Sequence, residues 1–219
     1  MLRRGGLAPL VAEFLGVAMW GVVALVMSET TAVSYFIATS VAVALALSYM
    51  FFSTVSGGHF NPAITFGMWT ARRIGSVRAV TYIVAQLLGG LAAWQLYQYF
   101  INHNLPAKST HFDGRVLVAE IVGTMILSMG FAAAAYKAFT ALEAALTVGG
   151  ALFVGILVAA TASSGLLNPA VALSLRSFSA AYIVGPLVGA MIGVNLYNWL
   201  FVAAPMRTVK TTKVLRTKK

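Results

Sequence analysis

Long apolar runs separated by short polar stretches set the layout of this chain. Six of them are long enough to matter, at roughly 7–28, 32–55, 79–101, 115–136, 141–162 and 180–205. Each has at least about 22 residues, which at about 1.5 Å per residue crosses a hydrocarbon core about 30 Å thick. The first run follows Arg3 and Arg4, as a secretory leader would, but it is too long for such a leader and five similar runs succeed it, so it reads as a spanning helix. Between the second and third runs, residues 53–78 are too many for a simple connector. Within them Phe60–Trp69 carries no charge, is partly apolar and is too short to span. A segment of that kind dips into the membrane and returns, with its backbone buried in protein or lining a wet cavity.

Composition turns this pattern into a statement about solvent. Hydrophobic residues make up 60% of the 219, charged residues 9%, and the mean hydropathy is +0.87. Twenty charges, 15 of them Lys or Arg, cannot coat a soluble domain of 23 kDa, so the partner for the apolar surface is a lipid bilayer. A net charge of +10 raises the question of nucleic acid, but the basic residues sit at the margins of apolar runs and not on a solvated face, which excludes that reading. Their distribution gives orientation instead. With the N-terminus inside, 12 Lys or Arg fall on the inner side and three, Lys108, Arg115 and Arg176, on the outer side, so the positive-inside rule puts both termini in the cytoplasm. Residues 1–206 then form one membrane domain and 207–219 a basic cytoplasmic tail suited to anionic headgroups. The lack of cysteine removes thiolate metal sites, cysteine nucleophiles and disulfides.

The chain also repeats itself. Glu13 in Ala12-Glu13-Phe14-Leu15-Gly16 is matched 107 residues later by Glu120 in Ala119-Glu120-Ile121-Val122-Gly123, and Asn61-Pro62-Ala63 is matched at the same offset by Asn168-Pro169-Ala170. A third match, Tyr82-Ile83-Val84 with Leu87, Gly89, Leu96 and Tyr97, returns at Tyr182-Ile183-Val184 with Leu187, Gly189, Leu196 and Tyr197. Two landmarks at one offset indicate a duplicated unit, about 7–101 and about 115–205. Each unit holds three spans, an odd number, so the second enters the membrane from the opposite side. The fold class is therefore an all-α membrane protein of six transmembrane helices plus two re-entrant half-helices in two inverted three-helix repeats, whose shared site lies near the midplane.

The local chemistry of the Asn-Pro-Ala segments is specific. Asn61 is a strong N-cap and Pro62 suits the first helical position, so a half-helix is predicted over 62 to about 70; Asn168 and Pro169 predict another, to about Leu175. Ser56-Gly57-Gly58 and Ser163-Ser164-Gly165, ahead of them, supply unusual backbone geometry. Inversion brings the two N-termini face to face, where two positive dipole ends disfavour a cation. The asparagine amides offer donors, and the carbonyls of Gly57, Gly58, His59, Ser164, Gly165 and Leu166 offer acceptors along a path with apolar walls. Such a tube conducts small neutral molecules.

At these residues the chain resembles the major intrinsic proteins, the aquaporin and aquaglyceroporin family. Ser56-Gly57-Gly58-His59-Phe60-Asn61-Pro62-Ala63-Ile64-Thr65 is similar to that family's first signature and Ala12-Glu13-Phe14-Leu15-Gly16 to its first-helix motif, with similarity from about residue 8 to 202. The resemblance implies a homotetramer with one pore per subunit, and buried acids at Glu13 and Glu120 that support the re-entrant loops. Their symmetric placement favours that structural role over a proton relay. It further implies an outer constriction of four residues at Val41, Ile156, Gly165 and Val171, the last standing where conducting members usually carry arginine. All four are apolar or lack a side chain, which argues against strict water selectivity and against cation repulsion at that ring. Ala172 stands where glycerol-conducting members have Asp. Arg176, eight positions beyond Asn168, belongs at the outer end of the second half-helix, pairing with its C-terminus and with water. His59 reads as a packed histidine, and His103, His111 and Asp113 are too irregularly spaced for a metal site.

The function implied is a passive channel for water and other small uncharged solutes such as glycerol, ammonia or gases, in the plasma (inner) membrane, with no cofactor, no metal and no catalytic residue. The alternative is a poorly conducting or non-conducting scaffold. A coupled transporter using Glu13 and Glu120 lacks further intramembrane acids or bases.

Overall fold

A computed structural model describes residues 4–108 and 111–202; the tail at 207–219 lies outside the described residues. Eight helices follow one another: α1 (Arg4–Thr30), α2 (Ser34–Ser56), α3 (Pro62–Thr70), α4 (Ser76–Ile101), α5 (Gly114–Tyr136), α6 (Ala141–Ala159), α7 (Pro169–Ser174) and α8 (Ala180–Phe201). All but α3 and α7 are long and apolar enough to cross a membrane, and the chain is a multi-pass integral membrane protein.

Side chains set several of the helix ends. Asp113 caps α5 by accepting from the Arg115 N–H at 2.8 Å. Thr140 and Glu143 form a reciprocal capping box at the start of α6. Gly57, at φ +95°, ends α2 with its N–H on the Ser53 carbonyl at 2.8 Å. Several ends differ from the sequence expectation: α1 runs from Arg4 to Thr30 rather than 7–28, α2 begins at Ser34 rather than 32, and α8 ends at Phe201 rather than 205. Helix α4 begins at Ser76 and not at 79, and α6 stops at Ala159 and not at 162, where the Ala159 carbonyl accepts from both Ala162 and Ser163 and turns the chain inward.

The six long helices form a ring in the order α4, α1, α2, α6, α5, α8, and the half-helices fill the gap between α4 and α8. Each half-helix packs chiefly on the other repeat: α3 on α8, α7 on α4. Small residues allow this, since lipid offers no hydrophobic drive between helices and close backbone approach must supply the packing. A Cβ at Gly67 would stand 2.7 Å from the Ala190 carbonyl oxygen, and one at Gly90 would collide with that of Ala170. The same device recurs inside each repeat, with Gly89 against Phe14 and Gly189 against Ile121. The outward faces carry exposed Val11, Val43, Leu47, Val84, Leu88, Leu146 and Val184, a belt suited to acyl chains.

Candidate functional site

The two Asn-Pro-Ala segments meet end to end at the centre of the ring. Asn61 caps α3 by accepting from Ala63 N–H at 2.8 Å, and Asn168 caps α7 by accepting from Ala170 N–H at 2.9 Å. Each asparagine also reaches across. Asn61 Nδ2 donates to the Leu167 carbonyl at 2.8 Å, and Asn168 Nδ2 donates to the Phe60 carbonyl at 2.9 Å. An amide has two N–H groups, so this clamp uses one per asparagine and leaves one over. Pro62, Pro169, Ala63 and Ala170 are buried at the junction.

Phe60 and Leu167, immediately before the caps, have φ of +47° and +52°. Holding a non-glycine residue there costs about 1–3 kcal/mol. The acids on α1 and α5 offset that cost. Glu13 accepts from His59 N–H at 3.0 Å and Phe60 N–H at 2.6 Å, and Glu120 accepts from Leu166 N–H at 3.0 Å and Leu167 N–H at 2.7 Å. Both carboxyl groups are fully buried. Two hydrogen bonds of about 1 kcal/mol each, together with two N–H groups that are not stranded, outweigh the strain. Gly58 and Gly165, at φ +69° and +62°, complete the bends; a Cβ on Gly58 would lie 2.8 Å from the Tyr49 ring.

The repeats diverge in their side chains. In the first repeat, Gln86 Nε2 donates to Glu13 at 2.7 Å and to Thr65 Oγ1 at 2.9 Å, and His59 Nδ1 lies 3.1 Å from that same hydroxyl. His59 stands edge-on to Tyr82 and Phe131, with centroids 5.5 Å and 5.4 Å away. The matching positions of the second repeat, Leu166, Ala172 and Pro186, are apolar, and Ser163 Oγ donates to Glu120 at 2.8 Å. Gln86 was not singled out from the sequence, although a lone amide within an apolar run was the signal.

At the end of the ring where the α1–α2 and α4–α5 loops lie, a vestibule of about 260 Å³ is lined by Val41, Ile156, Gly165 and Val171 together, with Trp20, Ser28, Thr31, Ser34 and Lys108 also in its wall. Ser164 and Leu166 also border it, whereas neither asparagine does. Asn61 and Asn168 are fully buried, and Val41, Ile156 and Val171 are at most 4% exposed. Among the described residues, no hydrogen bond ends on the carbonyls of Gly57, Gly58, His59, Ser164, Gly165 or Leu166. Arg176 departs from the role read in the sequence. Its guanidinium stacks 4.9 Å above Trp94 and donates to the Leu105 carbonyl at 2.9 Å, bracing the loop after α4 rather than the end of α7.

Comparison with known proteins follows the same lines. The family model described as major intrinsic protein matches residues 4–197. The probable aquaporin PIP2-6 of Oryza sativa subsp. japonica is 30% identical over 190 residues, covering 71% of this chain and 63% of that protein. The probable aquaporin TIP-type of Medicago truncatula is 33% identical over 172 residues, covering 73% of this chain and 69% of the relative. The chain thus spans less than two thirds of the length of the first of these curated relatives. Among solved structures, the aquaglyceroporin from Plasmodium falciparum superposes with a TM-score of 0.71 over 90% of this chain and 97% of its own, at 19% identity, which establishes the common fold.

Proposed function

The chain belongs to the major intrinsic protein family, and on that premise we propose that it is a passive transmembrane channel for water and other small uncharged solutes, among them glycerol, ammonia and gases. It needs no cofactor and carries out no bond-making chemistry. The observation that carries this reading is the reciprocal clamp of Asn61 and Asn168, which fixes two half-helix N-termini against each other while leaving one amide N–H of each for a solute oxygen. The free carbonyls on either side supply the complementary acceptors, and the two facing dipoles disfavour cations. The aquaporin and aquaglyceroporin names of its relatives agree with this. The outer ring is Val41, Ile156, Gly165 and Val171, which sorts by size and not by hydrogen bonding.

A homotetramer in the plasma membrane, with both termini cytoplasmic, completes the proposal; the uneven distribution of Lys and Arg supports the orientation.

A second reading has its own observation. Full burial of both asparagines and near-full burial of the ring favour a poorly conducting scaffold. Stopped-flow light scattering of proteoliposomes under parallel sucrose, glycerol and urea gradients separates the two. A channel gives osmotic shrinkage faster than empty vesicles, slowed by Val171→Trp. Shrinkage indistinguishable from that of empty vesicles leaves the scaffold.

A further inference from the structure

We propose that Lys108 adds a cation-repelling charge at the outer mouth of this channel, beyond the half-helix dipoles at its centre, an inference that rests on the channel reading above. The apolar ring of Val41, Ile156, Gly165 and Val171 has no charge with which to repel a cation, and Arg176, the nearest arginine in sequence, is turned away onto Trp94 and is not part of the vestibule wall. Lys108 is part of that wall.

Its position is fixed from several directions. The Lys108 N–H donates to the Arg176 carbonyl at 3.1 Å, while the Arg176 guanidinium holds the Leu105 carbonyl three residues earlier at 2.9 Å. Leu105 N–H donates to Gln98 Oε1 at 2.8 Å, and the Leu105 side chain is buried. The loop is therefore pinned both to α4 and to the turn after α7. The Lys108 ammonium is then held 3.2 Å from Glu29 at the end of α1, with 45% of its side chain exposed.

The geometry gives this pair a direction. Lys108 borders the vestibule and Glu29 does not, which makes the lysine the member of the pair that the path runs beside. An exposed ion pair contributes little to stability, which leaves orientation of the charge as its effect. At the mouth of a cavity with low-dielectric walls a single charge acts more strongly than on an open surface. A neutral solute is indifferent to it; a hydronium or alkylammonium ion is not. Rim hydroxyls at Ser28, Thr31 and Ser34 solvate the neutral solute beside it.

The test uses the full chain in proteoliposomes, with osmotic shrinkage for water, and with an entrapped pH dye under a clamped potential for proton leak and methylammonium entry. Wild type passes water with a small, measurable cation leak above that of empty vesicles. Lys108→Gln raises cation leak by about tenfold while water permeability stays within about twofold, because one of the fixed charges at the mouth has gone. Lys108→Arg restores exclusion, which a role in packing alone does not predict. Raising the salt concentration increases the leak of wild type but not of Lys108→Gln, since screening removes what the variant already lacks. Water flux with equal cation leak in wild type and Lys108→Gln overturns this proposal alone, as does a Lys108→Arg that leaks like Lys108→Gln. Absence of water flux in wild type overturns the channel reading and this proposal with it.

Discussion

Replacing Glu120 tests whether the buried acids hold the re-entrant loops. The carboxyl group accepts from Ser163 Oγ at 2.8 Å, Leu166 N–H at 3.0 Å and Leu167 N–H at 2.7 Å in a site without solvent. In Glu120→Leu the serine hydroxyl turns to another acceptor, but the two backbone N–H groups cannot, because Leu167 is held at φ +52° and the Asn61 clamp rests on its carbonyl. Two stranded donors cost about 2–6 kcal/mol at about 1–3 kcal/mol each. Hydrogen bonds within membranes average nearer about 0.6 kcal/mol, but that figure refers to groups that find other partners in the unfolded state, which a rigid loop does not offer. In Glu120→Gln the side-chain oxygen retains one of the two N–H groups and the amide NH2 faces the other, so about half of the loss remains. Thermal unfolding in detergent, followed by near-ultraviolet circular dichroism, reads the order: wild type, then Glu120→Gln, then Glu120→Leu. The leucine variant melts at least about 4 °C below wild type, at roughly 2–4 °C per kcal/mol for a chain of this size. A leucine variant that melts with wild type, or a glutamine variant that melts below it, refutes the reasoning.

Two further outcomes follow from the same geometry. Asn61→Ala and Asn168→Ala each remove a cap bond and one arm of the clamp, so the double variant is destabilised by less than the sum of the singles, with a coupling of at least about 0.5 kcal/mol in denaturant titrations; additive losses would mean that the two loops stand independently. Outside the membrane, hydrogen bonds from the Arg115 side chain and backbone hold the Asp113 carboxyl below its ordinary range. A pKa lowered by folding means that the cap's contribution is intact above the ordinary carboxylate value and disappears as pH falls through the lowered one. Amide exchange at Val116 and Leu117 therefore accelerates in acid beyond its intrinsic trend, whereas Asp113→Asn, which caps without titrating, shows no such acceleration.

The parts of this molecule that were legible in the sequence are those imposed by local physics. Apolar runs announce spans because lipid solvates nothing else, and Asn-Pro announces a capped half-helix because both residues act within one turn. The end of α6 was misread because Ala160-Thr161-Ala162 is apolar enough to continue a helix; what stops it is the need for the Ala159 carbonyl in the turn that follows. The left-handed residues were legible at Gly57, Gly58 and Gly165 but not beyond them, for a related reason. Glycines mark such geometry in sequence, but Phe60 and Leu167 adopt it because acids 47 residues earlier hold their N–H groups, and no local signal reports that. Lys108 reads as an ordinary loop cation until the backbone of Arg176 brings it to the vestibule. These misses share a cause with the divergence of the repeats. The acids, asparagines and glycines that make each repeat fold recur at matching positions, whereas His59, Thr65 and Gln86 of the first repeat correspond to Leu166, Ala172 and Pro186 in the second. With the four positions of the ring apolar, a charge that acts at that entrance, as proposed for Lys108, comes from outside the duplicated frame. The loop between the repeats is the segment free to supply it.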